Sequence, residues 1–410
     1  MLLGPRRDGS AGGMVPVSVA DLMLRFLGTL AVKAPRPVLP EPWAQTWREL
    51  ARPLNPAQRV FIDFPGAAGY APFAYLPQVL AIAAGRAVGA GPLALLWLAR
   101  AANALAAILV LSAAIALLPV GRLPALVLGL LPMALYEYAS VSPDALIITG
   151  SFLLTAIGLR ALVRGGWRMG EVVAAGIAGA VVCSVKPVYA PLLVISLPVV
   201  LRSRHRWSQL LALAAVIGMA LGLTGVWFAF AAGHVQDFRH GTSVAGQLRA
   251  IGADPVRFLR VLEWTFRSMS SFYVRSAIGI LGWLTIPLTG LALWLPGIAF
   301  LVALLAPNDR EEAFSLVEVA WSFLMIAGTV VLIMVALYLM WTPVGRLAIE
   351  GVQGRYFLPV FGLLAASLGS LPLWRIGPRG AAASLAVVSG LILLECLIVA
   401  LVLSHAYSLF

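Results

Sequence analysis

Cysteine, histidine, lysine and charge in general are scarce in this chain, and each scarcity excludes something. Of 410 residues only two are cysteine, Cys183 and Cys396, and both sit in apolar runs. Their spacing suggests neither a disulfide framework nor a metal site. The four histidines, His205, His234, His240 and His405, are scattered without ligand spacing, so no structural metal is expected. No tandem repeat or low-complexity linker is evident.

Only 11% of residues are charged, whereas 61% are hydrophobic and the mean hydropathy is +0.95. A soluble protein cannot hide that much apolar surface, and several runs reach the roughly 20 residues that cross a hydrocarbon core. The chain therefore reads as an all-α polytopic membrane protein. Its net charge of +12 comes almost wholly from arginine, since Lys33 and Lys186 are the only lysines. In a membrane protein such residues mark cytoplasmic loops and contacts to lipid headgroups. Without a basic stripe interleaved with aromatics, nucleic acid is not an expected partner; membrane lipids are.

Two regions are expected, an extracytoplasmic N-terminal region over residues 1–91 and a multi-pass domain over residues 92–410. From Met1 to Gln78 the sequence reads as free of a signal peptide or a span, because Asp21 and Arg25 interrupt the apolar positions between Val15 and Leu30. That stretch instead suggests an amphipathic helix at a surface. A loop-rich part follows, with Pro35, Pro37, Pro40, Pro42, Pro53 and Pro56. Candidate spans are Leu93 to Leu118, Pro124 to Tyr138, Ala145 to Leu162, Val172 to Leu201, Gln209 to Phe230, Ala277 to Ala306, Glu318 to Met340, Phe357 to Trp374 and Ala381 to Leu403. With Val172 to Leu201 as one helix or two, this gives about nine to ten transmembrane segments.

Arginine sets the orientation. Arg160/Arg164/Arg168, Arg202/Arg204/Arg206 and Arg375/Arg379 lie in short loops, which the positive-inside rule places in the cytoplasm. Two of these clusters flank Val172 to Leu201, so that run must enter the membrane and return. A single helix of 30 residues would be about 45 Å long against a core of roughly 30 Å, and two short halves fit better. The tip is Lys186-Pro187-Val188-Tyr189-Ala190-Pro191, with two prolines as breakers. This parity puts the N-terminal region, the Tyr138 to Asp144 turn, the long loop from Ala231 to Arg275 and the Thr342 to Tyr356 loop on the extracytoplasmic face. Arginines at 239, 249, 257, 260, 267 and 275 do not reverse the assignment, because charges in long loops count for less. Residues 71–91 would lie on the outer surface rather than span.

The same face collects the candidate site. An ionisable side chain near the bilayer centre costs roughly 2.5 to 3.5 kcal/mol on insertion scales and usually faces a cavity or partner, although Lys186 at a short helix end also fits simple snorkelling. Ser140-Val141-Ser142-Pro143-Asp144 is ordinary turn chemistry or a turn that aims Asp144 at a site. Gln353 stands between Gly351 and Gly354, a pair that would let backbone approach a ligand closely, while Arg355 and Tyr356 either anchor a helix at the interface or bind. Lys186, Arg355, Tyr189, Tyr356, Tyr70, Tyr75, Asp144 and Gln353 would together suit a phosphate-bearing lipid. A base for an acceptor hydroxyl would come from Asp63, Asp144, Asp237, Asp254, Glu263 or Glu350, and spacing does not choose among them. Glu395, a second intramembrane charge, either pairs with a neighbouring arginine such as Arg100, the reading favoured here, or marks a polar path.

At Tyr70-Ala71-Pro72 with Tyr75-Leu76-Pro77-Gln78, Leu131-Pro132-Met133 followed by Ser140 and Asp144, Lys186-Pro187-Val188-Tyr189, and Gly351 to Pro359, the chain resembles an uncharacterised family of bacterial multi-pass membrane proteins. That family, a domain of unknown function, is related to the type C glycosyltransferases. The resemblance implies a type C-like fold in the bacterial cytoplasmic membrane, a polyprenyl-phosphate-linked sugar donor and envelope glycans or lipids as products. It leaves the divalent metal requirement open. It also implies an opening span and a Pro-Asp-Glu motif in the first loop. This sequence has neither, so no catalytic acid is carried over and Met1 is expected to fall inside that loop, as in a truncated or mis-started chain. The broken hairpin equally suits a transporter or lipid flippase, and the missing first-loop acid a non-catalytic membrane scaffold.

Overall fold

A computed structural model describes residues 12–27, 43–64, 67, 69–231, 241–282, 284–306, 314–371 and 380–406. Expectations at Lys33, Pro35, Pro37, Pro40, Pro42, His234, Asp237, Arg239, His240, Arg375 and Arg379 lie outside these residues. Among the described residues, five helices are long and apolar enough to cross a membrane, and four further apolar helical stretches are shorter.

The N-terminal region contains a ladder that the sequence reading did not anticipate. Strand β1 (Gly12–Pro16) pairs antiparallel with β2 (Arg59–Asp63), with Val15 opposite Val60. Helix α1 (Val17–Leu27) follows β1 and buries Ala20 and Leu22, as its amphipathic pattern requires. Asp21, which breaks the apolar run, pairs with Arg52 just after α2 (Trp43–Ala51), at 2.7 Å. A 3₁₀ turn (Pro72–Tyr75) leads into α3 (Leu76–Ala87), which packs along the start of α4 (Pro92–Leu117).

The expected span Pro124 to Tyr138 is two short helices, α5 (Arg122–Gly129) and α6 (Pro132–Tyr138). Pro132 cannot donate the bond that would continue α5. Helix α7 (Asp144–Arg164) is the central element, most of its length inside protein between α4 and α8 (Met169–Val185). Helix α8 in turn lies along α10 (Arg206–Ala231), and its small residues allow close approach: a Cβ on Gly176 would stand 2.4 Å from the Met219 sulfur.

The chain breaks at Lys186 and turns back. A 3₁₀ segment (Pro187–Val194) returns beside α8, placing Leu193 against Gly179, and α9 (Leu197–Arg202) completes the return. Near the arginine-rich end, the Trp167 indole donates to Ser196 Oγ at 3.0 Å. Non-helical backbone within apolar surroundings needs internal partners. The Val194 carbonyl has one in the indole of Trp321, at 3.0 Å.

Helix α11 (Val244–Ala253) and the long α12 (Pro255–Gly279) follow. The expected span from Ala277 to Ala306 is interrupted, because β3 (Ile280–Leu281) and β4 (Ile286–Pro287) form a small hairpin before α13 (Leu291–Leu305). Helix α14 (Leu316–Met340) is long and apolar. A 3₁₀ segment (Gly354–Val360) then leads into α15 (Phe361–Gly369). The last helix, α16 (Ala381–Ala406), packs chiefly on α13. Here the expected pairing of Glu395 with Arg100 is corrected: among the described residues both Glu395 carboxylate oxygens are buried without a hydrogen-bond partner, and Arg100 instead donates Nε to the Ala139 carbonyl at 2.6 Å. Arg100 lies on α4, which has no substantial packing against α16.

Candidate functional site

The site forms where the N-terminus of α7 meets the break after α8 and the 3₁₀ segment before α15. Asp144 is the first residue of α7 and Lys186 the residue that ends α8, so each is placed by a helix terminus. Lys186 Nζ lies 2.5 Å from Asp144 Oδ1, with both side chains largely but not wholly covered. The turn before Asp144 is held locally by its own amide, which donates to Ser142 Oγ at 3.1 Å.

A second ion pair stands beside the first. Arg355 Nη1 lies 2.7 Å from Glu137 Oε1, and the Glu137 side chain is 2% exposed while that of Arg355 is 27% exposed. Tyr356 sits between the two cations: Lys186 Nζ is 4.8 Å from its ring centroid and the Arg355 guanidinium carbon 5.5 Å. Both distances are within reach of a cation–π attraction. Tyr189, fully buried, donates its hydroxyl to the Tyr356 carbonyl at 2.9 Å and so ties the hairpin tip to the Arg355 segment.

Tyr70 and Tyr75 complete the group from the N-terminal side, within electrostatic reach of Lys186 and Asp144. Burial pushes both phenols above their ordinary value; the Lys186 charge opposes this at each. The Trp227 indole donates to the Gly69 carbonyl at 2.9 Å, fixing the loop that carries Tyr70.

Seven of the eight side chains expected from sequence thus converge. The eighth, Gln353, caps the 3₁₀ segment through its backbone, accepting from the Tyr356 amide at 3.1 Å, and its side chain makes no hydrogen bond among the described residues. The expectation for the flanking glycines is corrected. Gly354 is pressed against α12, where a Cβ would stand 2.0 Å from the Tyr273 carbonyl oxygen. Gly351, at φ 83°, abuts the Trp341 ring. The close approach serves packing between elements of the chain itself.

Of the carboxylates named as possible bases that lie among the described residues, Asp144 alone is found in this cluster. Asp254 caps α12 by accepting from the Arg257 amide at 2.9 Å, Glu263 pairs with Arg267 at 3.3 Å on an exposed face, and Glu350 pairs with Arg346 at 3.5 Å. Asp63 is an exposed residue of β2. Glu137 was missed, although its position at the end of an apolar run, between Tyr136 and Tyr138, was a visible signal. Asn103 was missed too. Buried on α4, it donates Nδ2 to the Ser140 carbonyl at 2.8 Å and accepts from Gln78 Nε2 at 2.8 Å, bracing the turn ahead of Asp144. Among the described residues, no three side chains of His, Cys, Asp or Glu gather as a metal ligand set.

Chemically, two cations and two carboxylates around a tyrosine can hold an anionic group and take up a proton. Among the described residues Arg355 Nε is buried with no hydrogen-bond partner, a donor left over after the bond to Glu137.

Residues 31–364 match the model of a family described as a predicted membrane protein, DUF2142. This chain belongs to the DUF2142 family. The match includes Tyr70, Tyr75, Glu137, Asp144, Lys186, Tyr189, Arg355 and Tyr356, so the whole cluster lies within the family region of this DUF2142 protein. No curated protein and no solved structure matches the chain.

Proposed function

We propose that this multi-pass DUF2142 protein transfers a sugar from a lipid-phosphate-linked donor to a cell-envelope acceptor at the outer face of the cytoplasmic membrane. The observation that carries this reading is Arg355 Nε, a buried donor that has no partner among the described residues and stands beside Lys186 and Tyr356. An unmet buried donor costs on the order of 1 to 3 kcal/mol, and a phosphate oxygen would relieve it. Arginine offers paired donors to phosphate, and Lys186 adds a compact charge. The resemblance to type C glycosyltransferases supports the same donor class.

In this reading Asp144 or Glu137 accepts the proton of an acceptor hydroxyl. The acceptor oxygen bonds to the sugar's anomeric carbon, the bond from that carbon to the phosphate oxygen breaks, and the lipid phosphate leaves with the electron pair. Lys186 and Arg355 hold the charge that grows on the departing phosphate. Tyr70 and Tyr75 are neutral donors around it, while Tyr189, whose hydroxyl donates to the Tyr356 carbonyl, holds the Arg355 segment in place.

The test is binding of a polyprenyl phosphate to the purified protein. Lys186→Ala and Arg355→Ala should each weaken it about tenfold; unchanged binding in both overturns the site. A radiolabelled polyprenyl-linked sugar then reads transfer, which Asp144→Asn or Glu137→Gln should lower by about a hundredfold or more.

The helix break at Lys186 also favours a transport reading, since discontinuous helices present backbone and charge to substrates within membranes. Substrate flux in proteoliposomes without sugar transfer would select that alternative.

A further inference from the structure

On the other side of the Ser140 to Asp144 turn lies a cavity of about 610 Å³, formed where the N-terminal ladder and α1 lean on the α3–α4 pair. Its walls are apolar: Val15, Val19 and Leu22 from β1 and α1, Ile82 from α3, and Leu95 and Ala99 from α4. Two arginines, Arg59 of β2 and Arg86 in the last turn of α3, line the same space. Arg59 spends Nε on the Pro56 carbonyl, at 3.0 Å, and Arg86 makes no hydrogen bond or ion pair among the described residues. The cavity reaches Val141, three positions before Asp144.

We propose that this cavity holds a hydrocarbon chain of an anionic lipid whose phosphate rests on Arg59 and Arg86. The size falls within the roughly 300 to 1,000 Å³ of ligand pockets. An apolar cavity of this kind is poor in partners for water and takes hydrocarbon readily. A neutral apolar guest would leave the two guanidinium groups unused, whereas a phosphate offers each of them paired acceptors. Trp97, 45% exposed on α4 beside the lining residues Leu95 and Leu96, is the residue type that marks the headgroup level of a membrane. Chain and phosphate would then sit at the depths where a lipid carries them. The inference is independent of sugar transfer, because Lys186 and Arg355 form no part of the cavity lining. The shared chemistry is a phosphate on a long hydrocarbon chain, supplied by a bilayer phospholipid or by a lipid-phosphate donor.

The experiment uses the full chain in phosphatidylcholine nanodiscs with phosphatidylglycerol bearing a photoreactive diazirine in one acyl chain. The adduct should map to peptides holding Val15 to Leu22 or Leu95 to Ala99. Arg59→Gln/Arg86→Gln, a change at exposed positions, should lower this labelling about tenfold. Val19→Trp, which fills the cavity, should abolish it, and Gly170→Ala, where nothing stands within 4 Å of the added methyl group, should leave it unchanged. Displacement of the probe by polyprenyl phosphate assigns the site to a donor lipid; retention assigns it to a bilayer phospholipid. Labelling that ignores the double variant, or that falls on other peptides, overturns the proposal.

Discussion

Lys186 and Asp144 stand 42 positions apart in sequence, yet Nζ and Oδ1 meet at 2.5 Å, each residue at a helix end that faces the other. In such a place each charge depends on its partner. Removing one from a buried pair costs about 3 kcal/mol or more, whereas replacing both with apolar groups of similar volume costs much less. Thermal unfolding in detergent should therefore show Lys186→Met and Asp144→Leu each strongly destabilised and the double variant nearer to wild type. Additive losses would mean that the pair is not coupled.

Asn103 is predicted to act through the turn it braces. Asn103→Leu leaves the Ser140 carbonyl and Gln78 Nε2 without their 2.8 Å bonds. The expected loss is about 2 kcal/mol. Because the turn aims Asp144, ligand binding should weaken as well; a stability loss without a binding loss would confine Asn103 to packing.

At Gly354 the prediction is steric. A Cβ there would meet the Tyr273 carbonyl oxygen at 2.0 Å and the Ala277 amide nitrogen at 2.3 Å, both backbone atoms of α12. Gly354→Ala should cost about 3 kcal/mol and shift the adjacent Arg355 out of register with Glu137. Gly170, with nothing within 4 Å of a Cβ, supplies the control, and Gly170→Ala should be close to neutral.

Tyr75 sets a dependence on alkaline pH. Its phenol is raised in the folded state, chiefly by burial and then by neighbouring Tyr70. Stability held by the neutral phenol is complete below the unfolded value, about 10, and is lost as pH rises toward the folded one. The melting temperature of Tyr75→Phe should therefore fall less steeply above about pH 10 than that of the wild type. Identical slopes would show that Tyr75 titrates as it does in the unfolded chain.

How much was legible in the sequence follows from how local each signal is. Spans such as α7, α10 and α14 were visible because hydrocarbon length is written residue by residue, and the break at Lys186 because proline and flanking arginines are local marks. The interruptions at Pro132 and at the β3–β4 hairpin were harder, since apolar composition alone does not separate one helix from two short elements. The sequence by itself thus determined a polytopic helical protein, its hairpin and the residue types gathered at one end. Only the tertiary structure decided the partners. It gave Lys186 to Asp144 and Arg355 to Glu137, turned Gly351 and Gly354 toward packing, and left Glu395 unpaired with Arg100 and, among the described residues, without a hydrogen-bond partner. The physical reason is that an ion pair falls off with distance in space, and distance in space across helices is fixed by how they pack.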